Sequence, residues 1–301
     1  MTIAASLSFR HRLKKTLKSA HRYLAQPHLT HQKMYDHFED LGLRRGGMVL
    51  VHSSLSSLGY CAGGSAMVID SLLSYIGESG TLVMPTHTWS AVNNGKRSFS
   101  LPNDATHVGS IPETFRKMPN VSRSNHPSHS VASSGPLSNK LIEDHVRAES
   151  PCGEGTPYAR LMEGDGQILL LGVELRRNTC FHSVEAMAKV PYLLRPDKDR
   201  FKIELASDDT RYFDVRCHQP ALPSRFHEFQ EPLKIAGCLR TARIGNGESI
   251  VIDAKQFLNF MMPLLSEDSD LLLVRSETPF DVLMEYARNF KSTLNENLMP
   301  Q

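Results

Sequence analysis

Three short stretches constrain this chain more than anything else in it. Met48-Val-Leu-Val-His52, Thr81-Leu-Val-Met-Pro85 and Gln167-Ile-Leu-Leu-Leu-Gly-Val173 are nearly unbroken apolar runs. A strand with one wet face alternates apolar and polar residues, whereas a strand covered on both faces does not. The runs therefore predict buried, parallel-type strands, which need long crossover connections. The intervening segments fit that need. Gln32–Leu41 has helical patterning, Ser53–Gly64 is a Ser- and Gly-rich loop, and Ser65 is expected to cap an apolar helix to Ile76. Ser110-Ile-Pro-Glu113 has the form of a capping box. His129–Ser133 reads as a strand, and helices are expected over Leu137–Ala148, from Thr156-Pro157 and over Asn178–Lys189. In the last third, Phe201–Leu205 and Tyr212–Arg216 alternate about Ser207-Asp-Asp209 as a hairpin. Short strands follow at Leu239–Ile244 and Ser249–Ile252, then a helix capped by Asp253 and a final strand at Leu271–Val274. The expected fold is α/β: a three-layer α/β/α sandwich with a small antiparallel annex in the C-terminal third.

With no repeat or low-complexity linker, the 301 residues read as one domain, 1–301, with residues 1–30 as an N-terminal helical extension. Ser8–Ala25 has basic amphipathic spacing, which suits a surface helix, with a homodimer contact or a membrane-surface role as the alternatives. A net charge of +2 gives no basis for nucleic-acid binding. No apolar run approaches the roughly 18 residues of a membrane span, and no secretory signal is evident. The five cysteines include no C-x-x-C pair. That argues against a disulfide framework or zinc knuckle and for a reducing cytoplasm.

Three constellations could carry chemistry. The strand–turn–helix through Val51-His-Ser-Ser-Leu-Ser-Ser57 and Gly63-Gly64 exposes amides and hydroxyls that could cradle a phosphate, although an ordinary βα turn has the same composition. It is neither a Walker loop nor a dinucleotide fingerprint. Arg123-Ser-Asn-His-Pro-Ser-His-Ser130 reads as a polar site wall or as a loop entering a strand. A metal held by His126 and His129 with a third ligand elsewhere is the lesser alternative, because the segment lacks the tight spacing of zinc motifs, and no metal is expected. Third, Thr179, His182 and Glu185 span roughly 120° of a helix. A carboxylate three residues from an imidazole can orient it as a general base, while the bland alternative is a surface pair. Cys180 points roughly 160° away from His182, which makes it a poor nucleophile. His87, His107, His145, His218 and His227 read as scattered surface or core groups.

Taken in order, these segments resemble the aminoglycoside 3-N-acetyltransferase family. The resembling stretches are Val51–Gly59 with Gly63-Gly64, Gly80–Thr86, Ile111-Pro-Glu113, Arg123–Pro127 with Ser130, Ser150–Pro157, Leu169–Gly172 and Asn178-Thr-x-x-His-x-x-Glu185. The resemblance implies the fold peculiar to that family and acetyl-CoA as co-substrate. It implies coenzyme A along His52, Ser53, Ser54, Leu55, Ser56, Gly63 and Gly64, with Arg123, Ser124 and Ser130. It places His129 and Thr86 toward a small-molecule amine, and His182, Glu185 and Thr179 at the reacting end. His182-Ser-Val-Glu185 departs from the family's frequent His-Leu-Ala-Glu. Asp208, Asp209, Asp214, Glu228 and Glu231 are balanced by Arg211, Arg216, Arg225 and Lys234, so the acceptor stays open between an aminoglycoside and another amino sugar or amino-metabolite. The expected mechanism is direct transfer, with Ser53–Ser54 amides and the Thr179 hydroxyl facing the oxyanion. A serine hydrolase without a G-x-S-x-G elbow, or a binding protein that kept the fold, are the rivals.

Overall fold

The computed structural model describes residues 28–206 and 209–298. The amphipathic stretch Ser8–Ala25 and most of the expected hairpin tip, Ser207 and Asp208, lie outside the described residues. The strands in chain order are β1 (His28–Leu29), β2 (Met48–Ser53), β3 (Tyr60–Cys61), β4 (Thr81–Pro85), β5 (Ser98–Ser100) and β6 (Ser122–Arg123), then β7 (Val131–Ser134), β8 (Gln167–Leu171), β9 (Leu194–Ala206), β10 (Asp209–His218), β11 (Leu239–Ile244) and β12 (Gly247–Asp253).

The main sheet runs β11-β12-β8-β2-β4-β7-β6. Its centre, β8-β2-β4, is parallel, and Leu50 of β2 sits opposite Val83 and Ile168. Val49, Val51, Leu82, Met84, Leu169 and Leu171 turn to one face, while Leu50, Val83, Ile168, Leu170, Ile250 and Ile252 turn to the other. Helices cover both faces, which is why the runs are continuous rather than alternating. His31–Asp40, Gly64–Ile76 and Ser110–Phe115 pack on the first face. Pro157–Glu163, Cys180–Met187, Ala254–Glu267 and Phe280–Leu298 lie on the second. This is the expected α/β/α sandwich. Both margins of the sheet are antiparallel: β7 runs against β4, and β12 against β8. Among the described residues no helix is long and apolar enough to cross a membrane.

Hydroxyl and carboxylate caps form at Thr30, Thr156 and Asp253, which accept the amides of Lys33, Ala159 and Gln256. Ser65 does not cap its helix. The cap is Gly63, at a left-handed φ of 87°, and the helix begins at Gly64. The Ser110/Glu113 capping box does not close either. Glu113 accepts the Thr106 amide at 2.9 Å and pairs with Arg116 at 2.6 Å. The expected helix Leu137–Ala148 breaks into Ser138–Ile142 and a 3₁₀ turn at His145–Arg147, because Asp144 adopts a φ of 53° that no α-helix absorbs. Leu271–Val274 is a turn bearing one bridge, Leu273 to Ser224, rather than a strand. At the other end, residues 28–29 are not part of a helical extension. They pair in parallel with β3, and Thr30 already caps the next helix.

The annex is β10-β9-β5. Its hairpin is antiparallel, but β5 joins β9 in parallel and comes from the first third of the chain. Phe99, Phe201, Ile203, Val215 and Cys217 form its own small core. The annex thereby clasps the body from two distant points in sequence, and the end of β10 delivers His218 to the site.

Candidate active site

A cleft of about 1310 Å³ opens over the carboxyl ends of β2, β4 and β8. Ligands gather at that place in α/β sheets because the strand ends and the loops leaving them are unpaired there. Val51–Ser57 form one wall, Pro85 and His87 the floor beyond β4, and Gly172–Glu174 the exit of β8. Gly172 holds a φ of 66°, and a Cβ on it would meet Ser57 Cβ at 3.1 Å. Glycine is what lets β8 end directly beneath the serine turn.

The helix Cys180–Met187 carries His182 and Glu185. Cys180, Phe181 and Val184 bury their side chains in the core. Phe181 stacks on Phe226 at 4.4 Å and meets Phe257 edge-on at 5.1 Å. Each such pair contributes about 1 kcal/mol beyond its burial, so the helix is fixed in rotation and His182 and Glu185 face the cleft. His182 Nδ1 lies 2.6 Å from Glu185 Oε2. The Tyr192 hydroxyl donates to Glu185 Oε1 at 2.8 Å. Both carboxylate oxygens are engaged, so the His182 proton sits on Nδ1 and Nε2 is the ring's basic nitrogen. Cys180 faces away, and burial pushes its thiol pKa up.

Thr179 precedes the helix rather than lying on it, and it lines the cleft. Its amide donates to His52 Nε2 at 3.4 Å. Burial pushes His52 down to about 3, which keeps it neutral with its proton on Nδ1. Ser53, Ser54, Leu55 and Ser56 all line the cleft. The Ser54 hydroxyl is linked to Ser56 at 3.1 Å and Ser57 at 2.9 Å. The Ser54 amide donates to Leu171 O at 3.0 Å, so it is not a free oxyanion donor. Gly63 and Gly64 stand at the start of the next helix, outside the cleft lining.

The Arg123–Ser130 segment divides. Arg123 turns inward: Nε donates to Thr86 Oγ1 and Ser130 Oγ, both at 3.1 Å, and its terminal nitrogens reach the carbonyls of Thr86, Leu101 and Asp104. Ser124 Oγ bonds His145 Nδ1 at 2.8 Å and takes the Val131 amide at 2.9 Å. Arg123, Ser124, Ser130 and Thr86 are buried and do not line the cleft, whereas Ser128 and His129 do. His126 Nδ1 accepts the amides of Ser128 and His129 and so shapes the turn.

Sequence reasoning missed a histidine row. His87 and His129 have ring centroids 4.8 Å apart, His129 and His218 are 4.7 Å apart, and His218 and His182 are 5.3 Å apart. Burial pushes His87, His129 and His218 well below the ordinary histidine range. His107, edge-on to Trp89 at 4.7 Å, also lines the cleft. These residues are far apart in the chain, so no local spacing announces them. His145 and His227 fit the bland reading, the first satisfied in the core and the second exposed. Tyr192, beyond the Pro191 break, carried no sequence signal. The carboxylates of the lining are few: Glu174 pairs with Arg176, Glu185 with His182, and Glu248 accepts from Gln230.

An α/β/α sandwich whose strand ends open into a cleft bearing a helix-borne imidazole paired with a buried carboxylate holds the groups that general-base chemistry uses. The chain belongs to the aminoglycoside 3-N-acetyltransferase family: the family profile, described as aminoglycoside 3-N-acetyltransferase, matches residues 50–266. It is similar to the SPbeta prophage-derived aminoglycoside N(3')-acetyltransferase-like protein YokD of Bacillus subtilis (strain 168), at 34% identity over 54% of this chain and 66% of that protein. It is also similar to aminoglycoside N(3)-acetyltransferase IV of a Salmonella species, at 39% identity over 51% of this chain and 57% of the relative. These two alignments span less than two thirds of the relatives' length. The solved structure of a mutant of aminoglycoside acetyltransferase AAC(3)-IVa in complex with apramycin superposes with a TM-score of 0.67 at 29% identity, over 81% of this chain and 94% of that one.

Proposed function

We propose that this chain transfers an acetyl group from acetyl-CoA to an amino group of an aminoglycoside or related amino sugar. The observation that carries the reading is the 2.6 Å His182–Glu185 pair facing the same cleft as the serine turn. His182 Nε2 takes the proton of the attacking amine, and Glu185 holds the imidazolium that results. The amine nitrogen bonds to the thioester carbonyl carbon, the carbon–sulfur bond breaks, and coenzyme A leaves as a thiol with the proton that His182 passes to its sulfur. The Thr179 hydroxyl and the Nδ1–H of neutral His52 are the donors suited to the developing oxyanion. The pantetheine arm runs along Ser53, Ser54, Leu55 and Ser56, with Arg177 of the lining available to the phosphates of coenzyme A. Holding both substrates together supplies on the order of 7 kcal/mol or more of the barrier reduction. A serine-nucleophile route is disfavoured because the Ser54 hydroxyl bonds Ser56 and Ser57 rather than His182.

One observation favours a second acceptor class. The lining carboxylates Glu174, Glu185 and Glu248 all have partners already, and a polycation would need free ones. A monoamino sugar or amino-metabolite fits that charge balance. The five cysteines are free thiols, which suits work in a reducing cytoplasm. Thiol release from acetyl-CoA, measured against aminoglycosides and monoamino sugars in parallel, tests the proposal. We expect amine-dependent release; no release with any amine, together with no heat on coenzyme A titration, would overturn it.

A further inference from the structure

Three soft or borderline donors from separate parts of the chain converge where His129 and His218 line the cleft and Cys152 lies buried behind them. His129 stands before β7, Cys152 follows the 3₁₀ turn His145–Arg147, and His218 ends β10. One ring nitrogen from each histidine and the Cys152 sulfur all lie within 4.8 Å of one another.

Two features mark this as more than a chance cluster. The Ser128 hydroxyl bonds His129 Nδ1 at 2.8 Å, which orients the ring and leaves Nε2 as the nitrogen free to ligate. Hydrogen bonding at the distal nitrogen of this kind supports ligating histidines in metal sites. His218 Nε2 is sealed from solvent and has no hydrogen-bond partner among the described residues. A buried ring nitrogen left without a partner calls for an explanation. Cys217, next in the strand, packs in the annex core and is not one of the converging donors.

We propose that His129, Cys152 and His218 bind a divalent transition-metal ion of the zinc type, with its fourth position open to the cleft. Two imidazoles and a thiolate form a donor set that zinc prefers over magnesium or calcium. Binding costs one proton: Cys152 releases it on becoming a thiolate, and each histidine ligates through a neutral ring. In a tetrahedral site with these bond lengths the ligand atoms stand about 3.5 Å apart, which small side-chain rotations would reach. The ion would lie one imidazole away from His182 and tie the annex to the body. The proposal stands independently of the acyl-transfer reading.

The full chain, stripped with a chelator, is titrated with Co²⁺ as an optical probe and then with Zn²⁺. We expect one Co²⁺ per chain, a thiolate-to-cobalt charge-transfer band, displacement by Zn²⁺, and a higher melting temperature with metal bound. Cys152→Ser should abolish the band, and His218→Gln should weaken Zn²⁺ binding at least tenfold. Absence of the band from the wild-type protein at excess Co²⁺, or its persistence in Cys152→Ser, overturns the site. If Cys152→Ser fails to fold by circular dichroism, His218→Gln decides: unchanged Zn²⁺ affinity in that variant has the same consequence.

Discussion

Tyr192 donates its hydroxyl proton to Glu185 Oε1 at 2.8 Å, from beyond the end of the helix that carries the carboxylate. Glu185 is only 1% exposed, so without Tyr192 one of its oxygens would lack any partner in a dry setting. A hydrogen bond to a charged group contributes about 1.5–3 kcal/mol. Tyr192→Phe should therefore lower kcat by roughly tenfold or more while the KM for acetyl-CoA changes little. A kcat within twofold of wild type would show that Glu185 is held well enough by His182 and the packing around it.

His182→Ala should cut turnover by about 10²–10⁴-fold, the usual contribution of a placed general base. Coenzyme A affinity, followed by calorimetry, should stay near wild type, because the serine turn is untouched. Turnover close to wild type in this variant would remove His182 from the chemistry.

Arg123→Lys tests whether the buried guanidinium braces the fold or binds the co-substrate. A lysine cannot reproduce a fork that reaches Thr86, Ser130, Leu101 and Asp104 at once. We expect a loss on the order of 3 kcal/mol in urea unfolding and unchanged coenzyme A affinity in the folded protein. A tenfold weaker affinity with intact stability would instead place Arg123 in the binding site.

Acid should destabilise the protein above the carboxylate range. Burial pushes His145 down to about 4 and His52 to about 3, and lowers His87, His126, His129 and His218 as well. In the unfolded chain each histidine titrates near 6.5. Between these values the unfolded state binds more protons, so stability rises with pH. It is fully present above about 6.5 and falls as the pH drops toward 4, by up to about 1.4 kcal/mol per pH unit for each such histidine. A melting temperature unchanged between about pH 8 and about pH 5 would contradict the buried neutral row.

The elements were legible where one segment carried its own signal. The apolar runs marked β2, β4 and β8, the Thr156 and Asp253 caps held, and the spacing of His182 and Glu185 predicted their pairing. Signals that depended on a partner elsewhere misled. Glu113 had the spacing of a capping box, yet Arg116 and the Thr106 amide claimed it. Arg123 and Ser130 looked like site wall, yet they face inward against Thr86.

The sequence by itself determined which segments are buried on both sides, which helix carries an imidazole beside a carboxylate, and where a serine-rich turn leaves a strand. Those facts follow from periodicity within a single element, because burial and helical spacing act over a few residues. The tertiary structure alone decided the antiparallel margins of the sheet, the row from His87 to His182, the Tyr192 bond and the meeting of His129, Cys152 and His218. Each of these joins residues whose separation along the chain gives no hint of contact, and only packing of the sheet, its helices and the annex brings them within reach.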